Sequence, residues 1–183
     1  MAKKILLLFY LVVCLAGFSA AQTSMGSKLI GGTGTLHIGT GNNKGTLLML
    51  SPRMGQFVAD DLALGASLPL SLYAYSGSTT TSVGLSPFVR GYFGAATTRL
   101  LLEGRVGFQR IAYNSDNSNF NDNSTAFTYG LGLGAVHFIS EQVGLEILLS
   151  YDNSGNNDAI LNMANLTGIN LNVGFQIYLP SGK

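Results

Sequence analysis

Leu166 to Leu179 reads L-T-G-I-N-L-N-V-G-F-Q-I-Y-L, and from Ile169 onward every odd position is apolar: Ile169, Leu171, Val173, Phe175, Ile177 and Leu179. Between them stand Asn170, Asn172, Gly174, Gln176 and Tyr178. Successive side chains leave a strand on opposite faces, so one face of this segment suits an apolar medium and the other suits polar contacts. Alone, the pattern describes any half-buried strand. It decides the fold because it recurs along a chain with only 10% charged residues, where a soluble domain carries about 25%. A closed barrel in a lipid bilayer, apolar outside and polar inside, satisfies both observations.

Period-two alternation and turn residues give eight candidate strands: Lys28–Gly39, Thr46–Val58, Leu62–Tyr75, Val83–Ala95, Arg99–Tyr113, Thr125–Phe138, Gln142–Asp152 and Leu166–Leu179. No segment keeps a 3.6-residue apolar period. The connections sort into two kinds. After the second, fourth and sixth strands they are tight: Ala59-Asp60-Asp61, Ala96-Thr97-Thr98 and Ile139-Ser140-Glu141. After the third, fifth and seventh they are longer and polar: Ser76–Ser82, Asn114–Ser124 and Asn153–Asn165. Thr40 to Gly45, after the first strand, is brief. Outer-membrane barrels have short periplasmic turns and long outer loops, and an even strand count returns both termini to the short-turn side. The fold expected is therefore an all-β, eight-stranded antiparallel up-and-down transmembrane barrel.

Residues 1–21 stand apart from that pattern. Lys3 and Lys4 form a positive start, Ile5 to Leu15 an apolar run, and Ser19-Ala20-Ala21 a small-residue cleavage site before Gln22. This is the layout of a secretory signal peptide, and the apolar run is too short to cross ~30 Å of hydrocarbon. Cys14, the single cysteine, lies inside that run behind Val12 and Val13, without the small residue that precedes a lipidated cysteine. Residues 22–183 then form one barrel domain with no disulfide or thiolate metal site available. With Lys3 and Lys4 removed, eight Lys+Arg face nine Asp+Glu, which gives no electrostatic case for nucleic acid.

Several short stretches carry a family resemblance: S-P-R-M-G-Q-F-V-A-D-D-L-A-L-G from Ser51, S-P-F-V-R-G-Y-F from Ser86, G-A-V-H-F-I-S-E-Q-V-G-L-E from Gly134, and the closing N-V-G-F-Q-I-Y-L. Together they resemble the small outer membrane protein β-barrel domain, or porin-like, family, which has the architecture of the OmpA and OmpX barrels. The resemblance spans the chain after the signal. It implies an outer-membrane location and outer-membrane lipids as neighbours. Asn172-x-Gly174-x-x-Ile177-x-Leu179 is similar to the C-terminal signal read by the barrel-assembly machinery, with an aliphatic end where that signal is usually aromatic.

Parity then divides each strand into a lipid face and a lumen face. In the fifth strand Leu100, Leu102, Val106 and Phe108 fall outward, while Arg99, Glu103, Arg105 and Gln109 fall inward. Arg53, Arg90 and Glu146 fall inward on their strands. An Arg at the bilayer midplane on the lipid face costs ~2–4 kcal/mol, so the inward assignment wins on energy. Arg53, Arg90, Glu103, Arg105 and Glu146 form the candidate lumen charge network, with Asn170, Asn172 and Gln176 as partners and Gly130, Gly132 and Gly134 leaving room. Arg110 has outward parity but lies close to an outer strand end, where it can snorkel. Intramembrane charges can mark an ion path; eight strands, however, leave only enough interior for side chains.

Little in the chain offers chemistry. His37 and His137 are the two histidines. His137 with Ser140 and Glu141 is only superficially a Ser/His/acid set, because it belongs to a tight turn. Asp152-Asn-Ser-Gly-Asn-Asn-Asp158 has oxygen side chains at alternate positions but lacks the central glycine and distal glutamate of a calcium loop. No cofactor, metal or catalytic activity is expected. The expected role is structural or surface-interacting, with any ligand at the outer loops. The alternatives are a porin-like narrow channel and a soluble lipocalin-like barrel, the latter needing its apolar face turned inward.

Overall fold

The computed structural model describes residues 23–38, 45–75, 78–94, 97–115, 121–154 and 167–181, with backbone only at 36–38, 75, 113–115 and 121–123. The expected signal peptide, residues 1–21, lies outside the described residues. Nine strands follow in chain order: β1 (Lys28–Ile38), β2 (Gly45–Ala59), β3 (Leu62–Ser67), β4 (Leu70–Tyr75), β5 (Ser78–Phe93), β6 (Thr98–Ser115), β7 (Asn121–Phe138), β8 (Val143–Ser154) and β9 (Gly168–Leu179). β3 and β4 are two halves of one stave, because both lie between β2 and β5 in the sheet. Pro69 separates them; it has no N–H to give to a ladder. That leaves eight staves. Each is antiparallel to its neighbours, and β1 joins β9 through Lys28↔Leu179 to close the ring. No helix occurs among the described residues.

The two ends of the barrel differ. At the turn end, β2 reverses into β3 through Asp60-Asp61, with Ala59 paired to Leu62. Asp61 has φ +62°, and a register shift between Phe57 and Ala59 accompanies it. A type I turn followed by a left-handed residue and a bulge is a common hairpin solution, and Asp tolerates that backbone better than most residues. The β5–β6 and β7–β8 connections share this end. At the loop end, the strands run further than their polar sequence suggests. β5 begins at Ser78, where it pairs with Tyr75, so most of the expected Ser76–Ser82 loop is strand. The reason is that Thr80 and Ser82 point into a polar lumen and are buried there. Likewise β6 reaches Ser115, β7 starts at Asn121 and β8 reaches Ser154. The rest of those two loops lies outside the described residues.

Parity holds around the ring. Leu48, Leu64, Leu85, Leu102, Leu131, Ile147 and Val173 are exposed on successive staves, and in β9 Leu171, Val173 and Phe175 are all more than half exposed. An apolar belt of this kind is expensive against water at ~25 cal/mol per Å². It is the surface of a barrel immersed in lipid. The inward residues include the charged set and many hydroxyls and amides beside an apolar layer, while the outer surface is almost wholly apolar, unlike a lipocalin-like barrel with its charged exterior. Tyr129 and Tyr151 lie outward in the belt, whereas Tyr92 and Tyr178 are buried inside.

Candidate functional site

The lumen is layered. Nearest the turn end, Leu29, Phe57, Tyr92, Leu101, Val136, Phe138, Leu148 and Tyr178 form a buried apolar layer. Ring centroids lie 5.5 Å apart for Phe57–Tyr92 and 4.9 Å for Phe138–Tyr178. The Tyr92 and Tyr178 hydroxyls are 3.2 Å apart, so these rings keep a hydrogen-bond partner while dry.

Directly above this layer lie the five charged residues singled out in the sequence, and the structure brings all of them together. Arg90, fully buried, is the hub. It donates to both Glu146 oxygens, at 2.6 and 3.1 Å, and through Nε to Glu103 Oε2 at 2.9 Å, while its Nη2 also donates to Glu103. A third contact reaches the Tyr92 hydroxyl at 3.4 Å. Arg53 donates to Glu103 Oε2 at 2.8 Å and lies 3.7 Å from Glu146. Phe88 lies within this layer, with both the Arg53 and Arg90 guanidinium carbons 5.7 Å from its ring centroid. The inward faces of Gly55 and Gly65 give that ring its space, since a Cβ on Gly65 would meet it at 2.5 Å.

Arg105 carries the network toward the loop end. It donates to Glu103 Oε1 at 2.9 Å and to Asp152 at 2.5 and 2.6 Å. Asp152 is thus a sixth member, placed by the sequence at the end of a strand and at the start of the calcium-loop-like run, and not among the lumen charges. Sequence reasoning missed it because it stands where β8 leaves the apolar belt, although its even parity with Glu146, Leu148 and Ser150 was a usable signal. Asn170 donates to Asp152 at 3.1 Å and Asn172 to Ser150 at 3.1 Å. Gln176 is buried, and neither of its amide atoms has a partner among the described residues. Gly130 and Gly132 do leave room: Cβ atoms there would strike Asp152, beside Arg105, and Leu148. At Gly134 the close neighbour is instead the β8 backbone. Three arginines therefore face three carboxylates, and the set is neutral.

Above Arg105 the lumen widens into a cavity of about 90 Å³ with a mixed polar and apolar lining. Thr33, Ser51, Arg53, Gln109, Asp152 and Asn172 are among its lining residues. Room for about three waters at ~30 Å³ each is what that volume amounts to. Ser71, Ser82 and Gln109 are bonded to one another further up.

A second cluster closes the opposite end. Arg99 donates to Asp61 at 2.5 Å and to the Thr23 hydroxyl at 2.8 Å, and the Asp61 N–H donates to the Thr23 carbonyl at 2.8 Å. The Gly26 N–H reaches the Phe57 carbonyl and the Met25 N–H reaches Asp60 Oδ1, each at 2.8 Å. Residues 23–27 are thereby laid across the turn end. His137 meets Thr98 at 2.8 Å, and the Ser140 hydroxyl accepts from the Gln142 and Val143 N–H groups of its own turn. The side chain of His37 lies outside the described residues.

The fold and lumen define a closed, eight-stave antiparallel barrel of the small OmpA/OmpX type. Two solved structures share it. The N-terminal β-barrel domain of Pseudomonas aeruginosa OprF matches with a TM-score of 0.57 and 16% identity, over 85% of this chain and 98% of that one. Neisserial surface protein A (NspA) matches with a TM-score of 0.54 and 14% identity, over 82% of this chain and 94% of that one. No family model and no curated protein matches the sequence.

Proposed function

We propose that this chain is an integral outer-membrane barrel with a structural or surface-interaction role and a plugged lumen, and that it is not an enzyme. The observation that carries the reading is the neutral Arg–Glu–Asp network across the bore, floored by the apolar layer around Tyr92 and Tyr178. A permanent water path needs continuous open space along the bore. Here Arg90, Glu103 and Glu146 are spent on one another at 0–1% exposure, and eight strands leave side chains in the middle. The turn end faces the periplasm and the loop end faces outward, so any ligand is met by the loops that follow β4, β6 and β8. The C-terminal strand, with Asn172, Gly174, Ile177 and Leu179, presents the segment for the barrel-assembly machinery.

Planar-bilayer recording of the purified, refolded barrel tests the plug. Little steady conductance is expected. Stable single-channel steps from pure protein would replace this reading with a narrow channel. Orientation has its own test: a tag near Asn119 should be labelled on intact cells, and one near Asp60 only after the outer membrane is opened.

A further inference from the structure

Glycines stand on the outward face of the belt at Gly32, Gly34, Gly91 and Gly104, and the last of these borders a notch. Gly104 leaves a gap on the outward face of β6, between Val89 of β5 and Leu131 of β7, which are its register partners. Beside it, Pro87 cannot donate to the ladder, which is unpaired between Leu85↔Phe108 and Phe88↔Arg105. The result is an apolar notch of about 510 Å³ bordered by Pro87, Val89, Val106, Tyr129 and Leu131. A Cβ at Gly104 would meet Val89 and Leu131 no closer than 3.5 Å, so nothing in the packing of the wall requires glycine there.

Arg110 stands on the same outward face, six residues toward the loop end, and is exposed. Among the described residues no carboxylate pairs with it. It is a cation at the border of a surface meant for lipid, where an arginine can lay its aliphatic stem along apolar wall and extend its head toward phosphate. Six residues at ~3.3 Å each make about 20 Å along the strand. At a strand tilt of ~40° that is about 15 Å of depth, half the hydrocarbon thickness. Phe108 and Phe127 span the interval, edge to face at 5.4 Å. A positive group, an aromatic track and, about 15 Å deeper toward the turn end, an apolar notch follow one another along the strand.

We propose that the outward face of β6 from Arg110 to Gly104 binds one anionic lipid of the loop-end leaflet, its phosphate at the Arg110 guanidinium and an acyl chain in the notch. This rests on the membrane reading above. Charge complementarity selects the headgroup and the notch holds the chain, so both elements are needed.

The chain contains no tryptophan, so Leu133→Trp supplies a single fluorophore two residues beyond Leu131 on the same face. The barrel carrying it is refolded into phosphatidylcholine bilayers with a minor fraction of phosphatidylglycerol, bromine being placed on the acyl chains of one lipid or the other. Quenching should report phosphatidylglycerol enriched about fivefold over its bulk fraction, the effect of one well-placed arginine. Arg110→Gln should return the local composition to bulk, and so should Gly104→Leu, which fills the notch and leaves the cation. Enrichment that survives either substitution overturns the proposal. Quenching by each lipid in proportion to its bulk fraction overturns it while leaving the barrel in the bilayer. No quenching by either overturns the membrane reading as well.

Discussion

The turn half and the loop half of this barrel solve the same problem differently. In the turn half the lumen is filled by rings and aliphatic side chains, sealed above by Arg90, Glu103 and Glu146 and below by residues 23–27. In the loop half it is lined by serine, threonine and asparagine. One half is packed like the interior of a soluble domain, and the other keeps a small cavity among its side chains. The difference teaches where sequence is constrained: a change in the first half meets close-packed neighbours, and a change in the second meets hydroxyls and room.

The comparison is most exposed to failure at the boundary layer. Glu146→Ala should destabilise the barrel by about 3–5 kcal/mol, because it leaves three arginines facing two carboxylates and Arg90 with half its partners in a dry interior. Adding Arg90→Met should recover part of that loss by restoring a neutral lumen, and a double-mutant cycle in urea-dependent refolding into vesicles measures the coupling. Additive losses would show that the ion pairs do not act as a unit. Phe57→Ala, in the apolar layer, should cost a similar ~3–5 kcal/mol from the cavity it opens. A loss under about 1 kcal/mol would mean that the turn half is loosely filled.

The next effect separates the two faces of a stave. Val173→Arg places a charge in the lipid belt and should cost ~2–4 kcal/mol near the midplane. Asn172→Arg, one residue away, points into the cavity and should be tolerated better. Equal damage in the same titration would break the parity assignment. The smallest effect belongs to the loop half. Asp152→Asn keeps the shape and some hydrogen bonding to Arg105, and both side chains remain about one-fifth exposed. A loss of about 1 kcal/mol or less is expected, and a loss equal to that of Glu146→Ala would erase the distinction between the halves.

Much of this was legible in the sequence, for a physical reason. Period two is fixed by the backbone, so one apolar run such as Ile169–Leu179 sets which face every neighbour presents, and Arg90, Glu103 and Glu146 follow by parity. What was not legible depends on where the belt stops. Ser78 to Ser82 look like loop, and Asp152 at its strand end looks like a rim residue, because polar side chains are equally at home in water and in a polar lumen. Only pairing across the wall, Ser78 with Tyr75 or Asp152 with Arg105, tells the two apart. The Arg99–Asp61–Thr23 stitch was hidden for another reason: it joins a terminal segment to a turn, and no periodicity links them.

The pairing of β1 with β9 has a consequence for how the barrel forms. Every other seam of the wall joins staves that are neighbours in sequence, whereas Lys28 meets Leu179 across about 150 residues. Loop-closure entropy for a span of that length is about 4 kcal/mol on a chain-statistics scale. Zipping neighbouring hairpins is therefore the fast, local part of assembly, and joining the first stave to the last is the slow one. A circular permutant opened within Ile139–Gln142, with the original ends linked, turns that distant seam into a hairpin and makes the β7–β8 junction the late step instead. The order in which the wall acquires protection would change while the finished barrel stayed the same.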